Sequence, residues 1–144
     1  MSITRSTHEE RKYRQYRRNN NKDDCPFCSI DSSHPQYIDQ TKNFKIINNH
    51  IPYSLWDGQG VIEHLMVIPR MHIDTLADIP LIAKREYLTL ISSYETRGYD
   101  VYARAKNSGV RSVAHQHTHL LRLDGKNKRI MFVLKRPFYL RLSW

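Results

Sequence analysis

The stretch Gly109-Val110-Arg111-Ser112-Val113-Ala114-His115-Gln116-His117-Thr118-His119-Leu120-Leu121 sets three histidines at strict alternation. On a β-strand, residues at i, i+2 and i+4 share one face, about 6.6–6.8 Å apart from one to the next. A strand over residues 113–121 would therefore present three imidazoles in a row. Val or Leu would pack better at such positions, so the spacing favours chemistry over packing. A neutral imidazole is a good nucleophile near pH 7, because its ordinary pKa of about 6.5 leaves it mostly unprotonated. An exposed face with incidental histidines and a site in which all three bind metal are the alternatives. Neither accounts for the rest of the chain as well as a mixed site does.

Upstream, Val61 to Pro69 is nearly continuously apolar and reads as a buried strand. It runs on into Arg70, Met71 and His72. The chain has 2 cysteines, Cys25 and Cys28, separated by Pro26 and Phe27. A secreted disulfide scaffold needs more cysteines at wider spacings, and a redox pair belongs in a βαβ pattern that this chain lacks. The pair is better read as half of a metal site.

The remaining pattern is helix, strands, long helix, strands. Thr7 and Glu10 have the form of a capping box, which predicts a short helix over about residues 8–18. Arg11, Arg14 and Arg18 would line its outer face, Tyr13 and Tyr16 would pack beneath, and Asn19-Asn20-Asn21 would end it. Phe44 to Asn49 reads as a strand, followed by a loop rich in turn and aromatic residues from Ile51 to Gly60. Pro80 suits the first turn of a helix. Ala83, Tyr87, Leu90 or Ile91, and Tyr94 have helical spacing, and Gly98 can end it. Further strands are expected over residues 100–106, 113–121 and 129–135, with Asn107-Ser108-Gly109 as a turn. This order predicts an α+β fold, an antiparallel sheet of about five strands with a long helix and a short N-terminal helix. A length of 144 residues fits a basic arm over residues 1–24 and one domain over 25–144.

The formal net charge is +9, and its distribution is uneven. Residues 1–22 carry +5, residues 122–144 carry +6, and the middle is slightly acidic at −2. Basic ends fit contact with a polyanion such as nucleic acid, or simply a solubilising periphery. No window approaches the roughly 18 apolar residues of a membrane span, and the N-terminus lacks a signal-type apolar run. A cytoplasmic protein with no membrane partner is expected. With 5 glycines and no G-x-G-x-x-G, the chain has no glycine-rich phosphate loop.

Three blocks together carry a resemblance. The triad stretch 109–121, the strand Glu63-His64 to Pro69-Arg70-Met71-His72, and the Cys25-Pro26-Phe27-Cys28 pair resemble, in order, the landmarks of the zinc-bearing histidine-triad (HIT) family of nucleotide hydrolases and transferases. The resemblance covers roughly residues 25–122. Two features differ from the family pattern: polar Gln116 and Thr118 stand between the histidines, and the loop from Ser54 to Gly60 is long.

The resemblance implies that His117 attacks the α-phosphorus of a nucleotide, forming a nucleotidyl-histidine that water hydrolyses. His119 would steady a phosphate oxygen, and Ser112 would contact the phosphate or leaving group. His64 would lie near the nucleophile and help move protons, unless it is a satisfied core histidine. Asn49, with Asn48 as a one-residue alternative, would hold the ribose. Asn107 and Arg111 are further nucleotide-binding candidates, Arg111 either gripping a phosphate or lying solvated in the turn. Phe44 and Ile46 would line the base pocket or belong to the core. A structural zinc would take Cys25, Cys28, His72 and His115, with His34 or His50 as rivals to His72. Relatives commonly form homodimers through the long helix and a sheet edge. The expected substrate is a nucleoside phosphoramidate or dinucleoside polyphosphate. The alternatives are a nucleotidyltransferase, including action on nucleotidyl groups at nucleic acid ends, and a zinc-stabilised nucleic-acid-binding module without catalysis.

Overall fold

The computed structural model describes residues 4–19, 25–127, 129–135 and 138–143. Helix α1 spans Thr7–Asn19, one residue beyond the expected range at each end. Its capping box is made by Ser6 and Glu9, not by Thr7 and Glu10. The Glu9 N–H donates to Ser6 Oγ at 3.3 Å, and the Ser6 N–H donates to the Glu9 carboxylate at 2.8 Å. Glu10 instead pairs with Arg14 one turn on, at 3.2 Å. Arg11, Arg14 and Arg18 are exposed, whereas Tyr13 and Tyr16 are half-buried, as the sequence predicts. Asn20 and Asn21, expected to break the helix, lie outside the described residues.

Six strands form one antiparallel sheet: β1 (Tyr37–Gln40), β2 (Phe44–Asn48), β3 (Leu55–Trp56), β4 (Gln59–Pro69), β5 (Tyr99–Ala103) and β6 (Thr118–Asn127). Their order is β1-β2-β4-β6-β5, with β3 paired to β4. Strands β7 (Arg129–Lys135) and β8 (Phe138–Ser143) form a separate two-stranded hairpin. Helix α2 (Leu81–Glu95) follows Pro80, which occupies its N-cap, and Gly98 at φ 82° turns the chain into β5. The sequence reading of Ile51 to Gly60 as loop omits β3. Asp57 and Gly58 have φ of 45° and 83°, so they form the two-residue turn that folds Leu55 and Trp56 back onto Gln59 and Gly60.

The larger correction concerns the triad. Strand β6 starts at Thr118, not Val113, and only His119 of the three histidines lies within it. The pairing of β4 with β6 ends at Val67 and Thr118. Beyond it the chain leaves the ladder, with His115 Nε2 at 2.9 Å from the Pro69 carbonyl and the Gln116 N–H donating to the Ile73 carbonyl at 2.7 Å. His115 and His117 are therefore carried on a turn, and the three rings have three different surroundings.

Each sheet face has its own core. Phe44, Ile46, Leu65, Val67 and Leu120 pack on Ile79, Ala83, Tyr94 and Tyr99 on the α2 side. Ile47, Met66 and Ile68 pack on Phe27 and Ile30 on the other side. Each fully buried Ile or Leu contributes about 1.5–3 kcal/mol of transfer free energy. Thr118 meets Tyr87 of α2, hydroxyl to hydroxyl at 2.7 Å, which satisfies the polar group behind the triad. Gln116 is buried to 2% exposure. Its backbone N–H is the one bonded to Ile73.

Candidate active site and metal centre

Strand parity decides which side chains meet. On β4, His64 and Met66 point away from α2, and on β6 so does His119. In β2 that same face belongs to Lys45 and Ile47. Phe44 and Ile46 consequently lie in the α2 core, the alternative to a role in a base pocket.

The faces converge on a cavity of about 910 Å³. Its wall includes Phe27, Ile30, Asn49, Met66, Ser112, His117 and His119. Thr4, Arg5, Glu10, Tyr13 and Tyr16 of the N-terminal segment also line it, with Tyr53, Trp56, Tyr102 and Arg104. His64, Asn107 and Arg111 do not.

The proton positions on the histidines follow from their partners. His117 Nδ1 lies 2.8 Å from the His115 carbonyl. A carbonyl only accepts, so Nδ1 carries the proton and Nε2 keeps a free lone pair. At His64 the Tyr53 N–H donates to Nδ1 at 3.0 Å, which leaves the proton on Nε2. That Nε2 lies 2.9 Å from His119 Nδ1 and donates to it, so His119 in turn carries its proton on Nε2. His119 Nε2 is buried and has no hydrogen-bond partner among the described residues. A buried donor of this kind is costly unless something accepts from it. The His117 and His119 rings stand 4.9 Å apart, centre to centre, and both line the cavity.

Burial pushes the His64 pKa down to about 3, helped by the positive charge of Arg5, and that of His117 down to about 4. Burial holds His119 well below the ordinary range too. All three are neutral near pH 7.

Asn49 Nδ2 lies 3.4 Å from His64 Nδ1 and 3.1 Å from Nε2. Nearly equal distances to both ring nitrogens put the amide over the ring face, since an in-plane approach would collide with the carbon between them. Its Oδ1 accepts the Ile51 N–H at 3.0 Å. His64 is 4% exposed and off the cavity wall, and it meets the cavity only through its contact with His119. Arg111 grips backbone. It donates to the carbonyls of Val113 at 3.0 Å, Asp74 at 2.7 Å and Ala114, bracing the turn that carries His115 and His117. Asn107 is exposed in its turn, Asn48 is exposed, and Ser112 is exposed at the cavity mouth.

Cys25, Cys28, His72 and His115 gather with their ligand atoms all within 4.8 Å of one another. Cys25 Sγ lies 3.3 Å and Cys28 Sγ 3.6 Å from His115 Nδ1, and Cys28 Sγ lies 3.3 Å from His72 Nδ1. A tetrahedral zinc with ordinary bond lengths has sulfur-to-nitrogen edges of about 3.5 Å, so the residues fit that ion. The Pro69 carbonyl holds His115 Nε2–H, which turns Nδ1 to the cysteines as a second shell does. Neither rival ligand joins the cluster. His34 Nδ1 accepts the Gln36 N–H at 3.2 Å, and the His50 ring packs on Tyr16 at 5.4 Å.

Sequence reading missed Lys45, Arg5, Tyr53, Tyr102 and Arg104. Lys45 is 7% exposed and donates to the carbonyls of Phe27 at 2.9 Å and Ile30 at 2.6 Å, tying the cysteine segment to β2. Its signal was the one charge in the apolar run from Phe44 to Ile47.

No family model and no curated protein matches the chain. Among solved structures, it is similar to a HIT family hydrolase from Legionella pneumophila, at 22% identity and a TM-score of 0.53 over 73% of this chain and 96% of that one. A histidine triad protein from Clostridium difficile matches at 21% identity and a TM-score of 0.52, over 74% and 96%. A HIT family hydrolase from Clostridium thermocellum matches at 19% and 0.52, over 70% and 91%. The chain has the α+β fold of the histidine-triad proteins.

Proposed function

We propose that the chain is a histidine-triad enzyme that acts on nucleotides at the α-phosphorus. The observation that carries this is the pairing of a free His117 Nε2 lone pair with the unpartnered His119 Nε2–H on one cavity wall. In the first step His117 Nε2 attacks phosphorus, the bond to the leaving group breaks, and that group departs with the electron pair. In the second, water attacks the same phosphorus, the nitrogen–phosphorus bond breaks, and the nucleoside monophosphate leaves. Two displacements replace one difficult one. The His119 N–H meets the phosphate oxygen that gains charge in both, and its burial makes that hydrogen bond strong. Ser112 supplies a hydroxyl at the cavity mouth, and Asn49 places an amide near the ribose. The substrate is of nucleoside phosphoramidate or dinucleoside polyphosphate type, and a second acceptor in place of water would make the same intermediate a nucleotidyl transfer.

Zinc is the metal proposed for Cys25, Cys28, His72 and His115. With four protein ligands it is structural, and it anchors the turn from which His117 projects. The cytoplasm, where thiols stay reduced, suits this centre. A homodimer across α2 accounts for the exposure of Leu81, Ile82 and Leu88, at 84%, 85% and 62%. Nucleic acid remains a candidate partner of the basic ends.

The test is mass spectrometry of protein trapped with adenosine 5′-phosphoramidate, wild type beside His117→Ala, with zinc measured in both. A nucleotidyl adduct on wild type alone, zinc retained in both, supports the reading. No adduct and no turnover with zinc bound refutes catalysis and favours the nucleic-acid-binding module.

A further inference from the structure

The cavity has a direction. Phe27 lies 5.2 Å from His117, and His117 lies 4.9 Å from His119, ring to ring. His119 lies 5.5 Å from Tyr53 and 5.8 Å from Tyr102. Beyond them come two cations: the Arg5 guanidinium 4.7 Å over the Tyr53 ring, and that of Arg104 5.1 Å over Tyr102. The nucleophile thus stands between an apolar end, at Phe27, Ile30 and Met66, and an arginine end.

Neither arginine has a use in the reaction above. Arg5 stacks on Tyr13 at 4.2 Å, donates through Nη2 to the Ile51 carbonyl at 3.2 Å, and has no partner for its buried Nε among the described residues. Arg104 donates to the Tyr53 hydroxyl at 3.1 Å. Among the described residues neither forms a direct ion pair, although the Glu9 carboxylate of the same segment lies close enough to feel the charge of Arg5. Glu10 shares the wall, but its Oε1 is committed to Arg14 while its buried Oε2 has no hydrogen bond. Both arginines are half-buried and keep guanidinium donors with no direct carboxylate contact, which a bound anion can take up through charge-assisted hydrogen bonds. Arg5 is held in position through its neighbours: the N–H groups of Ser54 and Leu55 donate to the Thr4 carbonyl at 3.0 and 3.2 Å, and the Ser6 N–H to Ser54 Oγ at 3.1 Å.

We propose that Arg5 and Arg104 form an anion subsite for the leaving group, so that the enzyme prefers nucleotides whose α-phosphorus carries a phosphorylated leaving group over those that release a neutral amine. This rests on the covalent-histidine reading. When His117 Nε2 bonds to the α-phosphorus, the bridging oxygen bond breaks and its electron pair stays on the departing phosphate oxygen, which the two guanidinium groups hold. Water then displaces the imidazole, releasing the nucleoside monophosphate and a proton.

The experiment compares kcat/KM for diadenosine triphosphate and adenosine 5′-phosphoramidate in the full chain, wild type against Arg5→Met, Arg104→Met and the double variant. Methionine keeps an apolar stem over the tyrosines. The anhydride-to-phosphoramidate ratio is expected to fall about tenfold or more in each single variant. Calorimetry with inorganic pyrophosphate is the second readout, with binding weakened at least about tenfold in the double variant. A ratio within about twofold of wild type, or pyrophosphate binding indifferent to both arginines, overturns the subsite. If neither nucleotide turns over while pyrophosphate binding still depends on the arginines, the catalytic reading fails and the subsite stands.

Discussion

His64 and His119 meet across β4 and β6, Nε2 to Nδ1, at 2.9 Å. Because the Tyr53 N–H occupies the other nitrogen of His64, the proton of this contact belongs to His64, and His119 is left to donate from Nε2 into the cavity. A backbone amide three residues before Trp56 thus sets the tautomer of a side chain more than sixty positions away.

Replacing His64 with Phe keeps a ring in the core and removes both nitrogens. His119 then has no donor to fix its tautomer, and kcat for nucleotidyl transfer to His117 is expected to fall about a hundredfold with KM little changed. His64→Gln, which restores a donor, should recover part of that loss. Rapid-quench measurement of adduct formation checks both, and a fall confined to KM would contradict the positioning role.

Stability should fall on the acid side, through buried neutral histidines. The His64 pKa is about 3 in the folded chain, against about 6.5 when unfolded. Below pH 6.5 the unfolded chain takes up a proton that the folded one refuses. The contribution of His64 is therefore complete above pH 6.5 and lost as pH falls toward 3, at about 1.4 kcal/mol per pH unit. His119 is shifted in the same direction and for the same reason, burial. Urea unfolding of wild type and His64→Asn between pH 7 and 5 should show a shallower pH dependence in the variant; parallel curves would refute it.

Cys28→Ser removes one of the four ligands gathered around His115. Zinc content should drop well below one per chain and Tm should fall by about 10 °C or more, because a closed site contributes directly to folding. Chelation of the wild type should reproduce the shift. Zinc bound at full stoichiometry in the variant would exclude this ligand set.

Arg111→Met removes the three bonds to the carbonyls of Asp74, Val113 and Ala114. Loss of charge-assisted bonds to partly buried carbonyls is expected to cost about 2–3 kcal/mol and to lower activity through a displaced His117. If Arg111 gripped substrate instead, KM would rise with stability unchanged. Chemical denaturation beside steady-state kinetics separates the two.

Lys45→Met retains the stem and strands the carbonyls of Phe27 and Ile30. The expected cost is about 2–4 kcal/mol, with faster zinc loss to a chelator because the cysteine segment is no longer tied to β2. A colorimetric zinc-release assay reads this, and an unchanged rate would show that the zinc alone holds the segment.

The chemistry-bearing motifs were legible because their meaning is local. Alternating histidines, a Cys-x-x-Cys pair and an apolar strand ending at Pro69 with His72 just beyond keep their spacing whatever surrounds them, and four of these residues come together as a cluster that could hold a metal ion. Helix α2 was readable from periodicity and from Pro80 and Gly98, and the end of β4 at Pro69 from its apolar run, whereas its start at Gln59 fell in the stretch read as loop. Parity along β2 argued against placing Phe44 and Ile46 with Asn49 at one site, an inference the sequence reading did not draw and the packing makes plain.

What the tertiary structure alone decided is where the strand begins and what faces the cavity. Strand β6 starts at Thr118 because the chain beyond it gives up its ladder to bond with Pro69 and Ile73, contacts distant in sequence that no local propensity encodes. The proton positions on His117, His64 and His119 depend on backbone groups brought in by folding. Arg5, on a segment that reads as a charged appendage, reaches the cavity only because the Thr4 carbonyl docks on Ser54 and Leu55. Residue type and short spacing set the available chemistry; long-range hydrogen bonds and the burial they permit set which atoms can perform it.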